Sequence, residues 1–80
     1  MPLKEFITKY IPLSISIAVF DNISNEQYFE GKARDLYNSD NSVLYREVAE
    51  IEPDYNYAGW IIISVYWYKN KQLNYFVKEK

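Results

Sequence analysis

The chain reads as a small α+β domain, with a short N-terminal helix packed on a small, strongly twisted antiparallel sheet of four strands, or five if the C-terminal segment pairs. Three observations predict it. Residues 59–68, Gly-Trp-Ile-Ile-Ile-Ser-Val-Tyr-Trp-Tyr, are β-branched and aromatic almost throughout and carry no charge. Residues 13–20 alternate cleanly, with Leu13, Ile15, Ile17 and Val19 on one face and Ser14, Ser16, Ala18 and Phe20 on the other. Pro2 precedes an apolar stripe of Leu3, Phe6, Ile7 and Tyr10 at helical spacing, and Pro12 closes it.

The helix comes first in the chain. Pro2 suits a first helical turn, and Pro12 disfavours helical geometry at Ile11. About two and a half turns remain, too few to stand alone, so the helix must pack on the sheet. After strand 13–20 the polar run Asp21-Asn22-Ile23-Ser24-Asn25-Glu26 is turn-rich, and residues 27–33 return as a hairpin strand. Gly31 within that strand predicts a bulge or a close backbone approach. Residues 34–42 are polar and suit a single helical turn.

Residues 43–52 form a third predicted strand, ended by Pro53. Val48 and Ile51 are three apart, so alternation requires a bulge between them. Residues 54–58 turn the chain into the central strand, where side chains alternate faces. Ile61, Ile63, Val65 and Trp67 form the wholly apolar face. Trp60, Ile62, Ser64, Tyr66 and Tyr68 form a mixed face, covered by a helix or left as a binding surface. Residues 1–68 make one domain, and residues 69–80 a basic extension, either a short strand or a tail.

Composition limits the chemistry. The chain has 80 residues, 49% hydrophobic and 25% charged, which suits one globular domain near the lower size limit for an unaided core. It contains no cysteine, so no disulfide or thiolate–metal staple is available, and homo-oligomerisation is the remaining route to further burial. Lys4 and Lys9 precede an apolar segment, but serine alternation and the lack of a small-residue cleavage site argue against a leader peptide. No run approaches the ~20 apolar residues of a membrane span, which points to a soluble, cytoplasmic protein. The net charge is −2, divided as −5 over residues 1–68 and +3 over residues 69–80. An acidic body argues against general duplex DNA binding, which needs phosphate-neutralising cations.

With neither histidine nor cysteine, the commonest general base, nucleophile and metal ligands are missing, and the chain is read as non-enzymatic and cofactor-free. Glu50 and Glu52 share a strand face, but paired carboxylates there suit a solvated edge that discourages aggregation. Residues 54–59 match three positions of a calcium loop, yet Ala58 and Val65 stand where an acid and a bidentate glutamate are required. The compositional excess is aromatic: 19% of residues, nine of them tyrosines. Tyr55, Tyr57, Trp60, Tyr66 and Tyr68, with Tyr28, Tyr37 and Tyr45 beside them, are flat rings with polar tips. Such rings anchor protein interfaces or stack on bases.

The order of motifs, Leu3-Lys4-Glu5-Phe6-Ile7, an alternating strand to Phe20-Asp21, Tyr28-Phe29-Glu30-Gly31-Lys32-Ala33, Tyr45-Arg46-Glu47-Val48 and Ile61-Ile62-Ile63-Ser64-Val65, resembles short, uncharacterised reading frames of phages, prophages and mobile elements of low-GC Gram-positive bacteria. It covers roughly residues 3–66 and brings no catalytic residues. The resemblance implies stoichiometric action on host machinery, with counter-defence a frequent role. Two binding functions follow. In the first, the chain inhibits a host protein, with Glu47, Glu50, Glu52 and Asp54, joined by Asp40, supplying charge and Tyr55, Tyr57, Trp60, Tyr66 and Tyr68 supplying contact area. In the second, an oligomer sequesters a nucleotide signal, with Tyr66 and Tyr68 stacking on bases and Lys32, Arg34 or Arg46 holding phosphates. A structural or accessory phage role is the third.

Overall fold

The two prolines bracket the first helix. In the computed structural model, which describes residues 1–54 and 56–66, α1 runs Leu3–Tyr10. It stops at Ile11, whose extended backbone (φ −115°, ψ 117°) is the geometry that a following proline imposes. Leu3 and Ile7 are fully buried and Phe6 packs against the core. Tyr10, the fourth member of the expected stripe, is 61% exposed and rests on Phe6 with ring centroids 5.0 Å apart. One short helix turns too little surface inward to bury both ends of its stripe.

Among the described residues there are four strands, β1 (Ser16–Asp21), β2 (Gln27–Lys32), β3 (Val48–Pro53) and β4 (Ile61–Val65), arranged in the sheet as β2-β1-β4-β3. The α+β class and the four strands are as the sequence predicts. The sheet itself is mixed rather than wholly antiparallel: β1–β2 and β3–β4 are antiparallel, whereas β1 and β4 run parallel. The reason lies in the connection between β2 and β3. It crosses the sheet from one edge to the other through α2 (Ala33–Tyr37) and a 3-10 turn (Ser42–Tyr45). The chain then returns beside β1 in the same direction. The two most apolar strands thereby take the central positions, where a parallel pair is normally found.

That crossing also corrects the third predicted strand. Residues 43–45 belong to the 3-10 turn, capped by the Asn41 side chain, whose Oδ1 accepts from the Val43 amide at 2.9 Å. Val43 and Leu44 go into the core from there, and β3 begins only at Val48. Leu3, Ile7, Ile17, Val19, Leu36, Leu44, Ile63 and Val65 are the large buried side chains. The described helical segments therefore lie on one face of the sheet, against the Ile17, Val19, Ile63 and Val65 side. Leu13, expected on that side, is 41% exposed because it precedes the strand.

Gly31 makes the expected close approach. It has φ 151°, and a Cβ built there would sit 3.3 Å from Phe29 Cζ. The bulge of this hairpin falls elsewhere, where the register shifts between Val19 and Phe20. Gly59 (φ 85°) turns the chain between β3 and β4 in a conformation costly for other residues. Trp67 and Tyr68, and the C-terminal segment 69–80, lie outside the described residues, as does Tyr55.

Candidate functional site

Side-chain alternation gives the sheet a second face that no described helix covers. On β4 this face carries Ile62 and Ser64, and on β1 it carries Ser16, Ala18 and Phe20. On β3 the partners are Glu52, opposite Ile62, and Glu50, opposite Ser64. Just past the strand ends, the Asp54 amide donates to the Trp60 carbonyl (3.1 Å) and the Tyr66 amide to the Glu47 carbonyl (2.9 Å), so these pairs continue the two rows.

The irregularity between Val48 and Glu50 is what aligns them. Ala49 is the extra residue, so Val48 and Ile51 both fall on the core side although three apart. By the same step Glu47 and Glu50 both fall on the open side. The result is an acidic row, Glu47, Glu50, Glu52 and Asp54, beside the row Tyr66, Ser64, Ile62 and Trp60. Directly paired residues in such a ladder stand ~4.5–5.5 Å apart between Cα atoms.

The individual groups differ in availability. Glu50 and Glu52 are exposed, while Asp54 is half-buried and its Oδ1 accepts the Asn56 amide at 2.8 Å. Glu47 is half-buried and paired with the Met1 amino group. Tyr57 is 61% exposed in the β3–β4 turn, with its ring tilted against Trp60 at 5.9 Å. Trp60 and Tyr66 bracket β4, which places them ~20 Å apart at a strand rise of ~3.3 Å per residue. The aromatic residues thus mark two ends of one strip rather than a single cluster. A groove of about 230 Å³, lined by Phe20, Asn25, Glu52, Ile62 and Ser64, lies between those ends.

The cations of the nucleotide reading are divided between opposite ends of the sheet. Lys32 pairs with Ser16 at the start of β1, and the Arg34 amide bonds to the Leu13 carbonyl near it (2.9 Å). Arg46 lies at the other end, where its guanidinium sits 5.0 Å from the centre of the Tyr28 ring. Tyr37 is half-buried beneath Lys4, and Tyr45 is 55% exposed. Asp40 is exposed in the crossing segment.

Sequence reasoning missed the cluster at the Arg46 end. Asp21 is 3% exposed, and its Oδ2 accepts the Ile23 amide (2.9 Å) and the Ser24 amide (2.7 Å). Oδ1 accepts the Tyr28 hydroxyl at 3.3 Å, and Arg46 Nη1 reaches that hydroxyl at 3.5 Å. Burial alone would raise the Asp21 pKa, but the Ser24 and Ile23 amides, the Ser24 side chain and Tyr28 together hold it below the ordinary value. Tyr28 is pushed up by burial and by the Asp21 charge, with Arg46 opposing. The Asp21-Asn22-Ile23-Ser24 spacing, an aspartate able to cap its own turn, was the available signal. A hollow of about 310 Å³ bounded by Asp21, Ile23, Ser24, Glu26 and Tyr28 adjoins it. Its acids disfavour a phosphate.

Comparison with protein-family models, with curated proteins and with solved structures finds no match to this chain. Among the described residues no helix is long and apolar enough to cross a membrane.

Proposed function

We propose that this chain is a non-enzymatic phage or mobile-element protein that inhibits a host protein, in a counter-defence role, by stoichiometric binding through the open sheet face. One observation carries the reading: the bulge at Ala49 puts Glu47, Glu50, Glu52 and Asp54 on the same face as Trp60, Ile62 and Tyr66. The acidic row supplies long-range attraction and orientation towards a basic surface, and the apolar and aromatic strip supplies contact area once charges have steered the encounter. Trp60 and Tyr57, packed together at the turn, are the anchors.

Sequestration of a nucleotide is the weaker reading. Its cations Lys32 and Arg34 sit at one end of β1 and Arg46 at the other, while the face between them carries acids. A phosphate approaching the strip meets like charge.

The test is affinity capture from a bacterial lysate with two baits, the wild-type chain and the E50K/E52K variant, quantified by mass spectrometry. The expected result is a basic protein held at one-to-one stoichiometry by the wild type and lost with the variant. A partner retained equally by both baits would remove the acidic row from the interface.

A further inference from the structure

The two edges of the sheet are built differently. On β3 the hydrogen-bonded pairs are Asp54 with Trp60 and, by alternation, Glu52 with Ile62 and Glu50 with Ser64. Only the backbone groups between them face outward. Pro53 has no amide to offer, Ala49 is taken up in the bulge, and the Val48 amide donates to the Met1 carbonyl at 3.0 Å, which leaves the Ile51 amide and carbonyl, flanked by Glu50 and Glu52, as the outward groups of this edge. The exposed acids Glu50 and Glu52 would also repel a second copy. The proline, the bulge, the Met1 contact and the flanking acids leave this edge poorly suited to strand addition.

The β2 edge has the opposite character. The Ala33 amide bonds to the Ile15 carbonyl (2.8 Å), so Gly31 with Ile17 and Phe29 with Val19 are the inward, hydrogen-bonded pairs. The amide and carbonyl of Glu30 and the amide of Lys32 therefore point away from β1, whereas the Lys32 carbonyl, at the N-cap of α2, belongs to the first turn of that helix. Both side chains are exposed on the open face and carry opposite charges two residues apart.

We propose that two copies of this chain pair antiparallel through β2, related by a two-fold axis at Gly31. Among the registers that bring outward backbone groups together, pairing Glu30 with Glu30 or Lys32 with Lys32 sets like charges opposite each other. Centring the pair on Gly31 puts Glu30 of each copy opposite Lys32 of the other, with each Lys32 amide donating to the Glu30 carbonyl of the other copy. Gly31 meets Gly31 where side chains would come closest, and neither has one. Lys32 Nζ rests on the exposed Ser14 carbonyl at 3.2 Å, and Glu30 Oε1 accepts from Gln27 Nε2 at 3.4 Å. Both are exposed contacts that exchange readily for the cross-strand ion pair. The axis is perpendicular to the sheet, so the described strands of the two copies form one eight-stranded sheet with every described helix on one side. The two open faces, each with its acidic row, then lie side by side on the other.

The inference is independent of what the open face binds. Sedimentation velocity of the full chain over a concentration series up to millimolar tests it. The wild type should show a reversible monomer–dimer equilibrium. Glu30→Lys or Lys32→Glu alone should weaken the dimer roughly tenfold by setting like charges opposite each other. The combined E30K/K32E variant should restore it, which also shows that the substitutions leave the strand folded. A chain that stays monomeric throughout would overturn the proposal. So would a dimer indifferent to the single reversals, or a double variant no better than the singles.

Discussion

Replacing Asp21 with asparagine tests how the end of β1 is held. The carboxylate is buried and accepts two backbone amides of its own turn at 2.9 and 2.7 Å, plus the Tyr28 hydroxyl at 3.3 Å. Asparagine keeps the shape and one acceptor oxygen but loses the charge. Hydrogen bonds to a charged group contribute about 1.5–3 kcal/mol each against about 0.5–1.5 for neutral ones, so losing the charge on the two amide bonds costs about 2 kcal/mol. A domain of this size has about 4–12 kcal/mol in all, and 1 kcal/mol shifts its midpoint by about 4–8 °C. Asp21→Asn should therefore lower Tm by about 8–16 °C at neutral pH, read by circular dichroism. The pH dependence supplies the sign. The folded Asp21 pKa lies below its ordinary value of 3.8, so its contribution is complete above that value and is lost as pH falls through the folded pKa. The gap between wild type and variant should hold constant near neutrality and close in strong acid. Equal stability at neutral pH, or a gap unchanged in acid, would refute the reasoning.

Other substitutions probe the core and the sheet. Ile63 is fully buried between β1 and β3, and Ile63→Ala should cost about 2–5 kcal/mol, seen as a lower urea midpoint at unchanged slope. Gly31→Ala should destabilise by about 1 kcal/mol or more, because φ 151° disfavours a side chain and the new Cβ meets the Phe29 ring at 3.3 Å; thermal denaturation reads it. The E50K/E52K change should leave stability within about 0.5 kcal/mol, since both side chains are exposed, and so separate binding from folding.

The elements that the sequence makes legible are those whose local pattern has one physical solution. Prolines on both sides of a helical stripe leave α1 little choice, and the alternation in β1 and β4 sets which side chains enter the core. Val48 and Ile51, three apart and both apolar, require the bulge that is found beside Ala49. Alternation fixes a face but not a neighbour, which is why the parallel pairing of β1 with β4 was not legible. Val43 and Leu44 were misread because so short an apolar run suits a strand or a helical turn equally, and the Asn41 cap decides it. Of the candidate site, the shared face of Glu50 and Glu52 was readable from spacing. That Glu47 and Asp54 join them depends on the bulge and on the hydrogen bonds beyond the strand ends. The separation of Trp60 from Tyr66 followed from strand length, whereas the division of Lys32 and Arg34 from Arg46 depended on how the crossing segment runs.

The central claim is that the open face binds a protein rather than a small molecule. Native mass spectrometry of the chain purified from bacterial cells tests it most directly, because it reports bound proteins and bound small molecules in one spectrum. The account predicts a complex with a host protein, one partner per copy of the chain, that dissociates as ionic strength rises. A species that carries a nucleotide-sized mass and no protein partner would contradict it.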